Sequence, residues 1–434
     1  MTTPTAAEPT VPLRSGLDEL PVVIIGAGPV GLAAAAQLVE RGVRTTVLEA
    51  GPAAGTAVTA WGHTRLFSPW RLLVDEAAGR LLAASGWASP TADGIPDGRE
   101  FVARYLLPLA ATPELAALIR YGTSVTAVTR RGMDRTRSNG RATTPFLLRV
   151  ASEGEVDELL ARAVIDTSGT YGRPNGLTAS GLEPVHADHV RAHITQALPD
   201  VLGVDRARFA GRSVLVVGAG HSAANTLIQL AVLARDEPRT RISWAIRSAT
   251  PARVYGSAAD ELEGRGRLGA RLHDLVRDGS VTLVERFEID DLVPAGHDRV
   301  RAVGRRGGST LAIEADVVVN ATGFRPDVTM LREIRLSLDE VVEAPRALAP
   351  LIDPNLHSCG TVPPHGVVEL AHPEPDFYIA GMKSYGRAPT FLLATGYEQV
   401  RSIADELAGN TAAARIGQLV LPGTGVCSTS PCCA

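Results

Sequence analysis

Two glycine-rich turns carry the clearest chemistry in the chain. Gly26-Ala-Gly28-Pro29-Val-Gly31 follows the apolar run Pro21-Val-Val-Ile-Ile25 at once, and Gly218-Ala-Gly220-His221-Ser222-Ala223 follows Ser213-Val-Leu-Val-Val217. In such a turn the first glycine permits a tight bend. The second lets the backbone approach a pyrophosphate, and a small third residue, Gly31 or Ala223, lets helix and strand pack closely. The helix that begins there turns unbonded N–H groups and its positive dipole end toward the phosphates. After the first turn, a strand over Arg44 to Leu48 ends at Glu49, near the spacing of about 20 residues expected of a carboxylate that binds ribose hydroxyls. After the second, the strand over Arg241 to Ile246 ends at Arg247. An acid there would repel a 2′-phosphate and an arginine can pair with it, which predicts NADPH; the alternative is a solvated surface arginine.

Both halves close alike. Ala163-Val-Ile-Asp-Thr-Ser168-Gly169 and Asp316-Val-Val-Val-Asn-Ala-Thr322-Gly323 are apolar strands running into a small hydroxyl residue and glycine. Ser168 and Gly169 are therefore expected at the first nucleotide, and Thr322 and Gly323 at the second. A third segment runs Asp376-Phe-Tyr-Ile-Ala-Gly381 as a strand, Met382 to Pro389 as a loop and Thr390 to Leu407 as a helix, with Thr390 as N-cap. Gly381, Met382 and Thr390 are expected to face the first cofactor. Lys383, the sole lysine, shares the loop with Tyr385 and Arg387, and all three are candidate catalytic residues; a polar loop facing water is the alternative. Arg65 is a fourth candidate. It lies in Trp61-Gly-His-Thr-Arg-Leu-Phe-Ser-Pro-Trp70, dense in rings for a chain only 4% aromatic and readable as a pocket wall or an ordinary buried loop.

These turns must be held by alternating strands and helices, which predicts an α/β fold of two Rossmann-like dinucleotide-binding domains, the second inserted in the first. The expected boundaries are a disordered leader over 1–19, an FAD-binding domain over 20–180 and 326–408, an NADP-binding domain over 181–325, and a flexible tail over 409–434. Helices are expected over Arg71 to Ser85 and Glu100 to Arg120. A net charge of -4 gives no pull toward nucleic acid or an anionic membrane, and no apolar run is long enough to span a bilayer. The four cysteines, Cys359, Cys427, Cys432 and Cys433, do not form an extracellular disulfide framework, and a reducing cytoplasm fits. Cys427, Cys432 and Cys433 in the tail suit a soft metal or metalloid.

The two turns and Asp316 through Ala321-Thr-Gly-Phe324 resemble the flavin-dependent monooxygenases with two dinucleotide-binding domains, the group that holds the flavin-containing and the N-hydroxylating enzymes. The resemblance covers about residues 20 to 408. Asn320 and Phe324 depart from the N-hydroxylating signature, and His189 to His193 lacks the Phe-x-Gly-x-x-x-His signature of the flavin-containing enzymes. The resemblance implies FAD and NADPH as cofactors, oxygen and a small soft nucleophile as reactants, and transfer of one oxygen atom through a flavin hydroperoxide. It also places Trp61 to Trp70 beside the flavin ring. The tail is similar to the vicinal cysteine tail of mercuric reductase, and the wider resemblance suggests a tie to arsenic resistance. Two further readings stay open: a reductase of disulfides or metal ions that uses the tail, and a metalloid-binding flavoprotein without turnover.

Overall fold

The computed structural model describes residues 16–255, 262–296, 298–353, 362–389 and 391–419. In chain order, β1 (Val22–Ile25), β2 (Thr45–Leu48) and β3 (Ile119–Arg120) are parallel. A meander of β4 (Ser124–Arg130), β5 (Phe146–Ser152) and β6 (Glu155–Ala161) follows, and β7 (Ala163–Asp166) returns beside β1. The second half holds β8 (Ile194–Gln196), β9 (Ser213–Val217), β10 (Arg241–Ala245) and β11 (Thr282–Val284). Its own meander is β12 (Phe287–Ala295), β13 (Arg299–Arg306) and β14 (Ser309–Ala315), and β15 (Val317–Asn320) closes it. The chain then goes back to the first sheet with β16 (Phe377–Ile379).

The first parallel sheet has the order β16-β7-β1-β2-β3 and the second β11-β10-β9-β15-β8. Because β16 joins the first sheet after the second is complete, the second fold is inserted in the first, as expected. Strands β1, β7 and β15 are buried along their whole length, which is why they are apolar runs rather than alternating ones, β7 and β15 each ending in one polar residue, Asp166 and Asn320. Helix Pro29–Glu40 is buried all round: Ala33, Ala34, Ala35 and Ala36 are fully buried, and their small side chains let the sheet on one side and helices Glu76–Ala84 and Leu393–Leu407 on the others come close. Helix His221–Asp236 takes the same place on the second sheet.

Several element boundaries differ from expectation. The first predicted helix is shorter, Glu76–Ala84, because Asp75 caps it by accepting from the Ala78 N–H at 3.0 Å. The second breaks into Gly98–Phe101, a π-helical turn Val102–Leu106, Leu107–Ala110 and Pro113–Ala116, with Pro113 starting a new turn after Thr112. Its last two expected residues, Ile119 and Arg120, pair with β2 as a strand. The helix expected from Thr390 begins at Leu393: Leu392 is extended, and the Phe391 ring packs edge-on to Tyr385 at 5.1 Å instead of joining the helix. The N-cap residue is thus Leu392, while Thr390 itself lies outside the described residues. Both meanders escaped the sequence reading.

Candidate functional site

The two nucleotide turns show which glycines serve the fold and which serve a ligand. Gly26 has φ +101, a conformation that favours glycine. A Cβ on Gly31 would lie 1.9 Å from the Gly26 carbonyl oxygen and 2.7 Å from Thr167 Oγ1, so this glycine lets the helix close on the turn. A Cβ on Gly28 would meet nothing within 4 Å. Gly28 is the N-cap of helix Pro29–Glu40 and makes no side-chain cap, so the first-turn N–H groups are left without a side-chain acceptor at a position open to a pyrophosphate. Beside it the Glu49 carboxylate accepts from the Ala27 N–H and the Gly51 N–H, both at 2.7 Å, which orients it at the end of β2.

The second turn repeats this division. A Cβ on Gly218 would lie 2.0 Å from the Ala321 carbonyl oxygen, whereas Gly220, the N-cap of helix His221–Asp236, has nothing within 4 Å. Trp244 Nε1 donates to the Gly218 carbonyl at 2.7 Å and fixes the bend from behind. Arg247 is exposed just past β10, its guanidinium bonded to the Ala179 carbonyl at 3.2 Å.

The profile of the pyridine nucleotide-disulphide oxidoreductase family matches residues 23–355, most of the chain and both turns. The chain belongs to this family. A ferredoxin–NADP reductase of Salinispora tropica is 28% identical over 74% of this chain and 80% of its own length. Among solved structures, a bacillithiol disulfide reductase of Bacillus cereus superposes with a TM-score of 0.65 at 18% identity, over 90% of this chain and 99% of its own. The FAD-bound cadaverine monooxygenase of the desferrioxamine pathway in Erwinia amylovora superposes with a TM-score of 0.64 at 14% identity, over 95% and 99%. The flavoprotein is thus an oxidoreductase whose cofactors are FAD and NADP(H). Among the described residues no helix is long and apolar enough to cross a membrane.

The candidate catalytic residues of the flavoprotein do not form one constellation. Lys383 is buried and donates to Asp166 Oδ2 at 2.6 Å and to Ser168 Oγ at 3.0 Å. Ser168 in turn donates to Asp166 Oδ1 through both its hydroxyl, at 2.7 Å, and its N–H, at 3.1 Å. Tyr385, expected beside Lys383, is 1% exposed and packs between His365 and Phe391. Burial pushes its phenol well above the ordinary tyrosine range, so it stays neutral. Arg387 is exposed, 3.7 Å from Glu343. Arg65 is exposed and lines a separate cleft of about 320 Å³ with Trp70, Glu100 and Arg104. Gly381 has φ +73 and lies against Val30 of the first turn; Met382 follows, half-buried. Thr322 donates to Asn320 Oδ1 at 2.7 Å, and Gly323 has φ +98 with Asn175 Nδ2 beside it. Cys359 and the three tail cysteines lie outside the described residues.

Other residues come into view only with the fold. Asp166 was merely part of a strand in the sequence, yet it is the fully buried partner of Lys383. Asn175 holds the junction between the two folds: it accepts from Asn320 Nδ2 at 2.8 Å through its carbonyl and donates from its side chain to the Thr322 carbonyl at 3.2 Å. The ring of Phe67 lies 5.3 Å from that of His221, and a Cβ on Gly264 would lie 3.0 Å from Phe67 Cα, so Phe67 joins the first fold to the second turn and to helix Glu263–Arg277. His63 Nε2 and Thr64 Oγ1 are buried with no hydrogen-bond partner among the described residues. Such groups cost about 1–3 kcal/mol each when unmet, so two in neighbouring residues fit a segment built to meet a bound molecule.

Proposed function

We propose that this flavoprotein is an NADPH-dependent monooxygenase acting on a small, soft nucleophile. The observation that carries the reading is the position of the cysteines. None precedes Cys359, so neither nucleotide turn, nor any strand of the two parallel sheets, brings a thiol pair to the flavin. With no thiol pair in either nucleotide turn or the strands of the two sheets, electrons that reach the flavin would leave to a partner that arrives from outside, and oxygen is such a partner. Gly28 and the N–H groups that open helix Pro29–Glu40 would hold the FAD pyrophosphate, Glu49 a ribose, and Ser168, Gly169, Gly381 and Met382 the riboflavin half. Gly220, His221 and Ser222 would receive the NADPH pyrophosphate, Ala223 would keep the helix close, and Arg247 would pair with the 2′-phosphate. Bound FAD supplies hydride acceptance and oxygen chemistry. The chain orients both cofactors and, through Phe67 beside the second turn, keeps water from the space between them. One NADPH, one proton and one oxygen molecule would be consumed per substrate, yielding NADP+, water and the oxygenated product.

The family and the Salinispora relative favour a second reading, in which the external acceptor is a redox protein or a disulfide rather than oxygen. Rapid mixing of the reduced holoenzyme with oxygen, NADP+ bound, separates the two. A transient absorbance distinct from both reduced and oxidised flavin, with peroxide release well below NADPH consumption once substrate is present, supports the monooxygenase. Prompt return to oxidised flavin with stoichiometric peroxide, together with fast reduction of a ferredoxin or a disulfide, sinks it.

A further inference from the structure

The only lysine in a chain of 43 basic residues is buried at the carboxyl ends of two strands. Every other Lys/Arg position is arginine, so this is the one ammonium side chain of the protein. Lys383 is 1% exposed and Asp166 0% in their side chains, so the pair is shut away from water. Lys383, Asp166 and Ser168 close a ring of charge-assisted hydrogen bonds: Lys383 to Asp166 Oδ2, Ser168 to Asp166 Oδ1, Lys383 to Ser168 Oγ. Two of the three ammonium hydrogens are thereby used. The third has no partner among the described residues.

The strand order locates this ring relative to the cofactor. FAD is an extended molecule, and in open α/β sheets ligands lie outside the carboxyl ends of the strands. Glu49, the ribose-type carboxylate, directly follows β2, and the phosphate turn directly follows β1. In the order β16-β7-β1-β2-β3, the adenosine side is therefore toward β2, and the riboflavin half must run the other way, over β7 and β16. Asp166 is the last residue of β7, and Lys383 lies four residues beyond the end of β16.

We propose that Lys383 is a positioning residue for the riboflavin half of FAD. It ties the Ser168–Gly169 turn to the Gly381–Met382 loop, and its charge, balanced by Asp166, sets how readily the flavin accepts electrons. This rests on the assignment of Ser168, Gly169, Gly381 and Met382 to FAD but not on what the reduced flavin does next. A nearby cation favours the reduced flavin, which carries added negative charge, and a nearby anion disfavours it. The two members of the pair should thus act in opposite directions.

Two measurements test this in the holoenzyme. In the first, the midpoint potential of the bound flavin is determined for K383M and for D166N. K383M leaves an uncompensated carboxylate and should make the potential more negative. D166N leaves an uncompensated ammonium and should make it more positive. At a fixed applied potential, each should change the ratio of reduced to oxidised flavin by about tenfold or more. A ring that merely holds the fold would move both variants the same way, or neither, alongside their thermal stability, and that outcome overturns the proposal. In the second, which needs no variant and so survives any folding defect of K383M, wild-type protein is grown with lysine labelled with carbon-13 at Cε. The sole lysine gives one signal. That signal should move when the bound flavin is reduced by dithionite and return on reoxidation; a signal identical in both states overturns the proposal. Neither result depends on the oxygen reaction, so a failure here is distinct from a failure of the monooxygenase reading.

Discussion

Replacing Gly28 and Gly31 in turn separates ligand space from packing space within one motif. Gly28 has φ -76 and ψ -176, which any residue can adopt, and its Cβ would enter space free of protein atoms. Gly28→Val should therefore fold with nearly wild-type stability, while its methyl groups occupy the volume a pyrophosphate needs. If the displaced phosphates lose two charge-assisted hydrogen bonds to the helix N-terminus, the loss is about 3–6 kcal/mol. That corresponds to a weakening of FAD binding of about 10² to 10⁴ fold. Gly31→Ala is the reverse case. Its Cβ would fall 1.9 Å from a backbone oxygen that cannot rotate away, so helix Pro29–Glu40 must shift off β1. Overpacking of this kind costs about 1–3 kcal/mol or more. The flavin-to-protein absorbance ratio, titration of the apoprotein with FAD, and thermal unfolding by circular dichroism read the two effects. Full FAD occupancy in Gly28→Val, or an unchanged melting temperature in Gly31→Ala, would refute the division of roles.

Other expectations follow from single contacts. Arg247→Ala should raise KM for NADPH about ten- to a hundredfold while leaving KM for NADH nearly unchanged, since a charge-assisted contact is worth about 1.5–3 kcal/mol; equal changes would show that Arg247 does not read the 2′-phosphate. Gly264→Ala should slow flavin reduction by NADPH without lowering FAD content, because its Cβ would push Phe67 and the second turn apart; a variant with wild-type rapid-reduction kinetics counts against that contact. Stability should fall in acid for two reasons near β16. Burial holds the His372 imidazole down to about 4 against an ordinary 6.5, so the stability of its neutral form is present above 6.5 and lost as pH falls toward 4. Burial pushes Glu374 up, but the Arg141 and Arg130 guanidiniums outweigh it and keep the carboxyl below its ordinary value, so its contribution is lost at still lower pH. Denaturant midpoints from pH 7 to pH 4 should show the slope, and His372→Gln should flatten it; an unchanged slope would discount His372.

The two nucleotide turns were legible because their requirements are local. Positive φ at Gly26, close packing at Gly31 and open approach at Gly28 all follow from a few consecutive residues, and the repeat 192 positions later, from Gly26 to Gly218, carried the inserted architecture with it. The meanders were missed because their alternation is weak: β6 is exposed at Glu155, Val156, Asp157 and Glu158, and β12 breaks its register between Ile289 and Asp291. The loop after β16 was misread in part because long-range packing decided it. Tyr385 and Arg387 flank Lys383 in sequence, but the chain buries one against Phe391 and turns the other out beside Glu343. Asp166 gave no signal at all, since an acid at the end of an apolar strand acquires meaning only when a lysine from the far end of the chain arrives beside it. The buried triad of Glu374 with Arg130 and Arg141 was invisible for the same reason.

The junction between the folds has a consequence for modular exchange. The chain leaves the outer fold near Arg173 and re-enters near Arg325, and the two passages lie side by side. Asn175 N–H donates to the Gly323 carbonyl and Arg325 N–H to the Arg173 carbonyl, both at 2.9 Å, with Pro174 opposite Phe324. The outer fold therefore has its cut ends already in register. Removing everything between them and sealing the gap with a short turn would close a loop whose ends start in contact, so the entropic penalty of closure is small. The outer fold should then survive as a one-cofactor module, and another inserted fold with equally close termini could be grafted at the same seam.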